Sequence, residues 1–403
     1  MWRIASTLAS FIFCAFSLHA QAETLCDAHD WFAPTPPRAD SGTALLCKGV
    51  LDSSLEHRKQ AAAELQKVIG SAPQSPQAFR AHEVLTSMYF RAGQYREALK
   101  ELDECIRLRP NDKDLLNERP LIVALSAEPD QRGKAKYARL ARTSINDGNP
   151  HFPVKVNGKT SIWFMDTGAN ISLMSDAEAI ALGLQVVPVE TKMDDISGSK
   201  TAIKVALVPD LLIGRTHLKH VGFVVLPHTQ PPFDDIPTDQ QALLGIQVLR
   251  ALGSIRVDRI GQVDVGGRAT TGEASRLAFD DNTPVVEMAT GGRSFAWTFD
   301  TGAVRTTLNQ PFAAAFPEMI AEGKQKDYKL TGVGGSTQQR SVELSRVQFT
   351  LGGKEVALAP ATVLLNQTTG TSTWAAGNLG FDLIRQAVPF TIDFQAMVFR
   401  AEP

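Results

Sequence analysis

The tetrapeptide Asp-Thr-Gly-Ala occurs twice in this chain, as Asp166-Thr167-Gly168-Ala169 and as Asp300-Thr301-Gly302-Ala303, at an offset of 134 residues. Each copy ends a short apolar run, Ile162 to Met165 and Phe295 to Phe299, which reads as a β-strand delivering one carboxylate into a turn. One such turn would mean little, because Asp and Gly punctuate turns everywhere. The surroundings repeat too. Upstream, Pro153 to Val156 and Thr160 to Met165 flank Asn157-Gly158, and Pro284 to Ala289 and Ser294 to Phe299 flank Gly291-Gly292, two hairpin patterns. Downstream, Leu243-Leu244-Gly245 and Asn378-Leu379-Gly380 stand at an offset of 135, as do Asp258 and Asp393. Between turn and glycine motif each half carries a further hairpin with a glycine-bearing tip, Ile196-Ser197-Gly198-Ser199 and Gly332-Val333-Gly334-Gly335-Ser336. A chain built this way folds as two strand-rich units of one kind, joined by a polar linker near Gly266 to Ser275.

Apolar strand, Asp-Thr-Gly-Ala, glycine hairpin and apolar-apolar-Gly, in that order, resembles a lobe of the retropepsin-like aspartic peptidases, and two such lobes on one chain resemble the pepsin arrangement. The resemblance covers roughly residues 150–400. Alanine after Asp-Thr-Gly, where pepsin-type lobes carry Ser or Thr, places both halves nearer the retroviral and bacterial members. Cleaving a peptide bond with neither metal nor nucleophilic side chain needs a base that deprotonates water and an acid for the carbonyl oxygen. Two carboxyls about 3 Å apart supply both, because they cannot both ionise easily and retain one proton between them. Asp166 and Asp300 are the candidates. The resemblance further implies that Thr167 and Thr301 hydrogen-bond across the lobe interface, and that Gly168 and Gly302 let backbone amides approach the carboxylates. Ala169 and Ala303 offer no hydroxyl to the charged form, from which a less acidic pH optimum than that of pepsin-type enzymes is expected. Ile196 and Gly198, with Val333, Gly334 and Gly335, are the flap candidates that close over an extended substrate. Two departures stand out: no tyrosine at the first hairpin tip, and Asn378 in place of an apolar residue, which suggests poorer packing behind the second aspartate.

Ahead of these units the periodicity is helical, from Ser53 to about Ser144. Leu55, Ala62, Leu65 and Val68 recur at helical steps until Gly70, with Pro73 and Pro76 barring continuation. Tyr89, Gly93, Tyr95, Ala98, Leu102, Cys105 and Pro110 are spaced as in a tetratricopeptide repeat. Stretches around Leu115 to Leu125 and Ala135 to Ile145 suggest a third helical pair. Asn146 to Pro150 is a turn cluster marking a boundary. Such a region either presents a docking groove or caps the rest of the chain. The first 22 residues, with Arg3, an apolar stretch from Ile4 to Leu18 and Ala20-Gln21-Ala22, resemble a secretory signal peptide. In an oxidising compartment Cys26 and Cys47 are placed to close a loop, and Cys105 falls on an apolar helical face. Cys-x-x-Cys is absent, so neither a redox motif nor a thiolate zinc site is indicated. His217 and His220 lack a third ligand, and Trp163 and Trp297 read as core.

With 403 residues, 43% hydrophobic and 21% charged, and a formal net charge of −2, the chain has the composition of a soluble multidomain protein without a nucleic-acid surface. The expected organisation is a signal peptide (1–22), a TPR-like α-helical domain (23–148) and two all-β acid-protease lobes of pepsin/retropepsin type (149–266 and 277–403). The expected function is that of an exported aspartic endopeptidase, periplasmic or secreted in a bacterium. It would act on a polypeptide substrate without metal or other cofactor, with a protein partner at the helical domain and no stable membrane insertion after signal removal. Two alternatives accompany it. One is a non-catalytic peptide-binding or scaffold protein using the lobe cleft and helices; the other is a pairing of each lobe with another chain.

Overall fold

The computed structural model describes residues 41–142, 150–194, 200–267, 271–332, 335–365 and 374–402. The expected signal peptide and the flap candidates Ile196, Gly198, Val333 and Gly334 lie outside them. Among the described residues no helix is long and apolar enough to cross a membrane.

Helices come first: α1 (Ser41–Ser54), α2 (Arg58–Ser71), α3 (Pro76–Arg91), α4 (Tyr95–Leu108) and α5 (Lys113–Ser126). Helix α2 ends before Pro73 and Pro76 as expected, and Pro76 then opens α3, since the first turn needs no N–H from that residue, with Ser75 Oγ capping it by accepting from Ala78 N at 3.0 Å. Asp112 caps α5 in the same way. Gly93, at φ +70°, turns the chain from α3 into α4. Helix α1 begins well before the helical period recognised in the sequence; its Leu46 and Val50 bury against Leu65 and Leu85. Cys47 is disulfide-bonded, with its partner outside the described residues, and Cys105 is a buried free thiol.

The expectation of a helix from Ala135 onward is wrong. Residues 135–142 form no helix, and Ala138–Arg139 form strand β1, paired with Val265 and Asp264. Ala138 and Leu140 are buried while Tyr137 and Arg139 are exposed, a period of two that the helical reading overlooked.

The β-rich region follows. A hairpin of β2 (His151–Val156) and β3 (Lys159–Met165) turns at Asn157 and Gly158, both with positive φ. Then come β4 (Ser172–Ser175), the short helix α6 (Asp176–Ala181), and the antiparallel run β5 (Val186–Asp194), β6 (Lys200–Ile213) and β7 (Thr216–Leu226). Strand β8 (Ala242–Leu244) leads into α7 (Ile246–Ala251), followed by β9 (Ser254–Val257) and β10 (Val263–Val265). After β11 (Ser275–Asp280), the hairpin of β12 (Thr283–Thr290) and β13 (Arg293–Phe299) turns at Gly291-Gly292, again with positive φ. Next are β14 (Thr307–Leu308), β15 (Lys324–Gly332), β16 (Gly335–Leu344), β17 (Val347–Leu351), β18 (Lys354–Leu358), β19 (Ala361–Leu364) and β20 (Gly377–Leu379). Strands β21 (Phe390–Asp393) and β22 (Val398–Ala401) close the chain.

The strand pairing repeats as the sequence does. Met165 of β3 runs parallel to Leu244 of β8, and Phe299 of β13 runs parallel to Leu379 of β20. In each case the glycine-motif strand also pairs antiparallel with the strand after the aspartate turn, β4 or β14. That turn strand lies in turn parallel to β7 or β19. One sheet crosses the sequence boundary: β1, β10, β9, β21, β22 and β11 are successive neighbours, so strands from residues 138–265 and 275–401 share hydrogen bonds. A continuous apolar core with Trp163 and Trp297 fully buried spans both sets of strands. The helical region is not a detached arm, for Phe79, Phe90, Leu121 and Leu125 share a second core with Ile171, Val205, Val224 and Leu243. Buried Arg91 bonds Glu56 at 2.8 Å, and Glu56 also holds Arg250 of α7 at 2.9 Å.

Candidate active site

Each aspartate sits where an apolar strand must stop. Strands β3 and β13 run into the molecule, and Asp166 N and Asp300 N are held by the carbonyls of Leu244 (3.1 Å) and Leu379 (3.0 Å), the middle residues of the two glycine motifs. The motifs then reach back: Ile246 N donates to Ala169 O at 2.8 Å and Phe381 N to Ala303 O at 2.7 Å. Gly245 N donates to Ser172 Oγ and Gly380 N to Thr306 Oγ1. A β-carbon on Gly245 would lie 2.6 Å from the Ile171 backbone, and one on Gly380 would lie 2.6 Å from that of Arg305, so glycine is required there by space.

The two turns meet. Thr167 N donates to Thr301 Oγ1 at 3.0 Å and Thr301 N to Thr167 Oγ1 at 2.9 Å. The same hydroxyls donate across the junction, Thr167 to Phe299 O (2.7 Å) and Thr301 to Met165 O (3.1 Å). Four buried hydrogen bonds thus join the turns with every partner satisfied, each worth about 1 kcal/mol and more if one partner is deleted. Gly168 and Gly302 stand against the opposite aspartate: a β-carbon on Gly168 would lie 2.5 Å from Asp300 Oδ1, and one on Gly302 would lie 2.4 Å from Asp166 Cγ. Their role is thus to leave room for the other turn's carboxyl as well as to bring amides close to their own.

Both carboxyls are buried, Asp166 completely and Asp300 to 3% exposure, and they interact side chain to side chain. Two carboxylate oxygens are both acceptors, so this contact is a hydrogen bond only when one carries a proton. Asp166 Oδ2 is buried and accepts no hydrogen bond from any fixed donor among the described residues. Burial, reinforced by the Asp300 charge, pushes Asp166 well above the usual carboxylate range. Burial also pushes Asp300 up, to about 6, against the hydrogen bonds it accepts from Asn378 and from the backbone of Ala303 and Gly302. Both shifts have the same sign, so the pair resists losing both protons as pH rises.

Asn378 is the residue that sequence reasoning misjudged. It does not loosen the packing behind Asp300: it is 4% exposed, its Nδ2 donates to Asp300 Oδ2 at 3.1 Å, and its Oδ1 accepts from Thr298 Oγ1 at 2.6 Å. Its signal lay in the duplication, where the first half has Phe164 and Leu243 at the positions of Thr298 and Asn378. Of the flap candidates only Gly335 is described, paired with Gly332 across β15 and β16. Strands β5 and β6 carry the other hairpin, and Asn117 of α5 grips it: Asn117 Nδ2 donates to Lys192 O at 3.0 Å, and Asn117 Oδ1 accepts from Lys192 N at 3.3 Å. His217 pairs with Asp210, and among the described residues no group of three or more His, Cys, Asp or Glu is placed to hold a metal. A cavity of about 630 Å³ lined by Arg58, Arg132, Lys134, Arg250 and Glu56 includes neither aspartate.

Comparison with known proteins agrees with this geometry for the first β unit. Residues 152–251 match the family described as "gag-polyprotein putative aspartyl protease". No curated protein matches the chain. Among solved structures, a retropepsin-like aspartic protease from Rickettsia conorii is similar at 18% identity, over 33% of this chain and 93% of that one, with a TM-score of 0.23, too low to carry an argument about the whole. The residues that build the Asp166 turn and its glycine motif are thus the part of the chain similar to that aspartyl protease family.

Proposed function

We propose that this chain is an aspartic endopeptidase whose single active site is formed by Asp166 and Asp300, one from each of two tandem lobes within residues 149–266 and 277–403. The observation that carries this reading is the reciprocal Thr167–Thr301 hydrogen bonding, which locks two Asp-Thr-Gly turns face to face with both carboxyls buried at the junction. The ionised carboxyl of the pair takes a proton from water as the water attacks the scissile carbonyl carbon; the protonated one gives its proton to the carbonyl oxygen. The tetrahedral diol then collapses, the amide nitrogen leaving with a proton returned through the pair. An extended polypeptide would lie across both turns, and the molecule would have to open there to admit it, because the aspartates are almost wholly buried. Export to a periplasm or the exterior is inferred from the character of residues 1–22. The TPR-like helical region would hold the first lobe and offer a surface to a protein partner.

The test is cleavage of a mixed peptide library by the purified chain from about pH 3 to 8, beside Asp166→Asn and Asp300→Asn. Either substitution is expected to lower the rate by roughly 10²–10⁴-fold, the usual worth of a general acid or base. The optimum is expected at about pH 5–7, since Asp300 must be ionised and sits near 6. Peptide binding without cleavage at any pH would favour a non-catalytic binding protein instead, and a maximum well below about pH 4 would contradict the charge assignment.

A further inference from the structure

We infer that Asn378, oriented by Thr298, is a positioning residue that makes the aspartate pair unequal, fixing the negative charge on Asp300 and the proton on Asp166. The inference rests on the peptidase reading above and deepens it by naming the base and the acid. The two halves of the site share a framework: the same Thr, Gly and Ala follow each aspartate, and the same backbone bonds frame it. At the paired strand ends that lead to the aspartates they differ in polarity at one cross-strand pair. In the first half Phe164 of β3 stands opposite Leu243 of β8; in the second Thr298 of β13 stands opposite Asn378 of β20. An apolar pair has been exchanged for a polar one, both members together, at the strand ends leading to the aspartate.

The polar pair is directional. Thr298 Oγ1 donates to Asn378 Oδ1 at 2.6 Å, with Gly377 O a longer 3.2 Å away. That turns the amide so that Nδ2 points to Asp300 Oδ2 at 3.1 Å. The reversed amide would set oxygen against carboxylate oxygen and lose the bond to Asp300. Asp300 therefore accepts three hydrogen bonds, from Asn378 and from the amides of Gly302 (2.9 Å) and Ala303 (3.0 Å). Asp166 has the amide of Gly168 at 2.9 Å and a weaker contact from that of Ala169, with no side-chain donor, and its Oδ2 has no donor. Donors favour the charged form of the carboxyl they reach. The titratable group that acts on Asp300 is Asp166; Asp382, the next carboxyl along, is turned to Thr306, and Arg305 acts on Asp382. Charge on Asp300 is thus set by neutral donors and insensitive to surface ions. With Ala169 and Ala303 supplying no hydroxyl, Asn378 is the side-chain donor of the site. Asp300 is then the base that takes the water proton, and Asp166 the acid that protonates the carbonyl oxygen.

The experiment compares the full chain with Asn378→Leu, which installs the first half's residue, and with Thr298→Val, which removes only the hydroxyl that orients the amide. Two readouts are taken: the acid limb of kcat/KM, and the midpoint of Asp300 followed by carbon-13 aspartate NMR in an Asp166→Asn background, where no activity is needed. Loss of one donor to a carboxylate is expected to raise both by roughly one to two pH units for Asn378→Leu and less for Thr298→Val, with Thr298→Ser restoring the original value. If the Asp300 midpoint stays within about 0.3 unit in a folded Thr298→Val or Asn378→Leu chain, Asn378 only fills space and the inference falls. If the midpoint moves but no form of the chain cleaves peptides, the charge assignment stands and the peptidase reading falls.

Discussion

At the residue scale the site is an exercise in close approach. Neither Gly168 nor Gly302 has a positive φ, so its conformation would suit any residue; what excludes a side chain is the carboxyl of the opposite turn, within 2.4–2.6 Å of where a β-carbon would stand. Gly302→Ala is therefore expected to fold, because the turn can shift by a fraction of an ångström, but to part the aspartates and lower kcat by roughly 10²-fold or more with little change in KM. Near-normal kcat in that variant would mean that the carboxyls need not touch. The Asp-Thr-Gly-Ala turns and their glycine motifs were readable from the sequence because small residues and a carboxylate at fixed spacing have few other uses. Asn378 was misread because a polar residue inside an apolar strand looks like a packing defect until its partners are known, and Thr298, its other half, lay unremarked in an apolar run. Comparing the two halves residue against residue would have exposed the exchange.

At the element scale the hairpins were legible wherever turn chemistry was explicit, at Asn157-Gly158 and Gly291-Gly292, while α1 and β1 were not. Helix α1 lies in a stretch whose apolar spacing is diluted by glycine and serine, and β1 is two residues long, so its alternation is outweighed by the helical run before it. The element contact with most consequence is between α5 and β5. Strand β5 is an edge strand whose pairing with β6 slips between Pro188 and Lys192, and at Lys192 the carboxamide of Asn117 supplies the donor and acceptor that another strand would have offered. Thr191 Oγ1 bonds Asn117 as well. Asn117→Ala is expected to loosen the base of this hairpin, raising KM by about three- to tenfold while leaving the pH profile in place, with faster amide exchange over residues 186–194. Unchanged exchange there would show that the helices do not restrain the hairpin.

At the scale of the whole molecule the helical region and the strands are one packed body, and its buried acids give it a pH dependence of stability. Burial pushes Glu83 up to about 8, with Arg80 opposing and Asp281 adding to the rise, and burial with the charges of Glu83 and Asp281 raises Glu118 well above its ordinary value. Acids raised in the folded state contribute stability that is complete below their unfolded value near 4.5 and is lost as pH climbs through the folded one. Glu56 runs the other way: burial would raise it, but Arg250 and Arg91 hold it low, so its contribution is present above the unfolded value and disappears in acid. The thermal midpoint is therefore expected to fall by several degrees between about pH 5 and pH 8.5, and Glu118→Gln, neutral throughout, to flatten that fall; a midpoint that rises across this range would refute the buried-acid assignment. A helical region followed by a β-rich one was evident from period, whereas the shared sheet of β9, β10, β11, β21 and β22 was not, because pairing between distant strands leaves no local mark in either. Both aspartates of the site come from one chain, and mixing two inactive variants tests this. Asp166→Asn and Asp300→Asn chains, each inactive, are combined at equal concentration, incubated, and assayed for peptide cleavage. The expected result is no recovery, since each chain carries one damaged pair; recovery of about a quarter or more of the unmodified activity would show sites built between chains and contradict it.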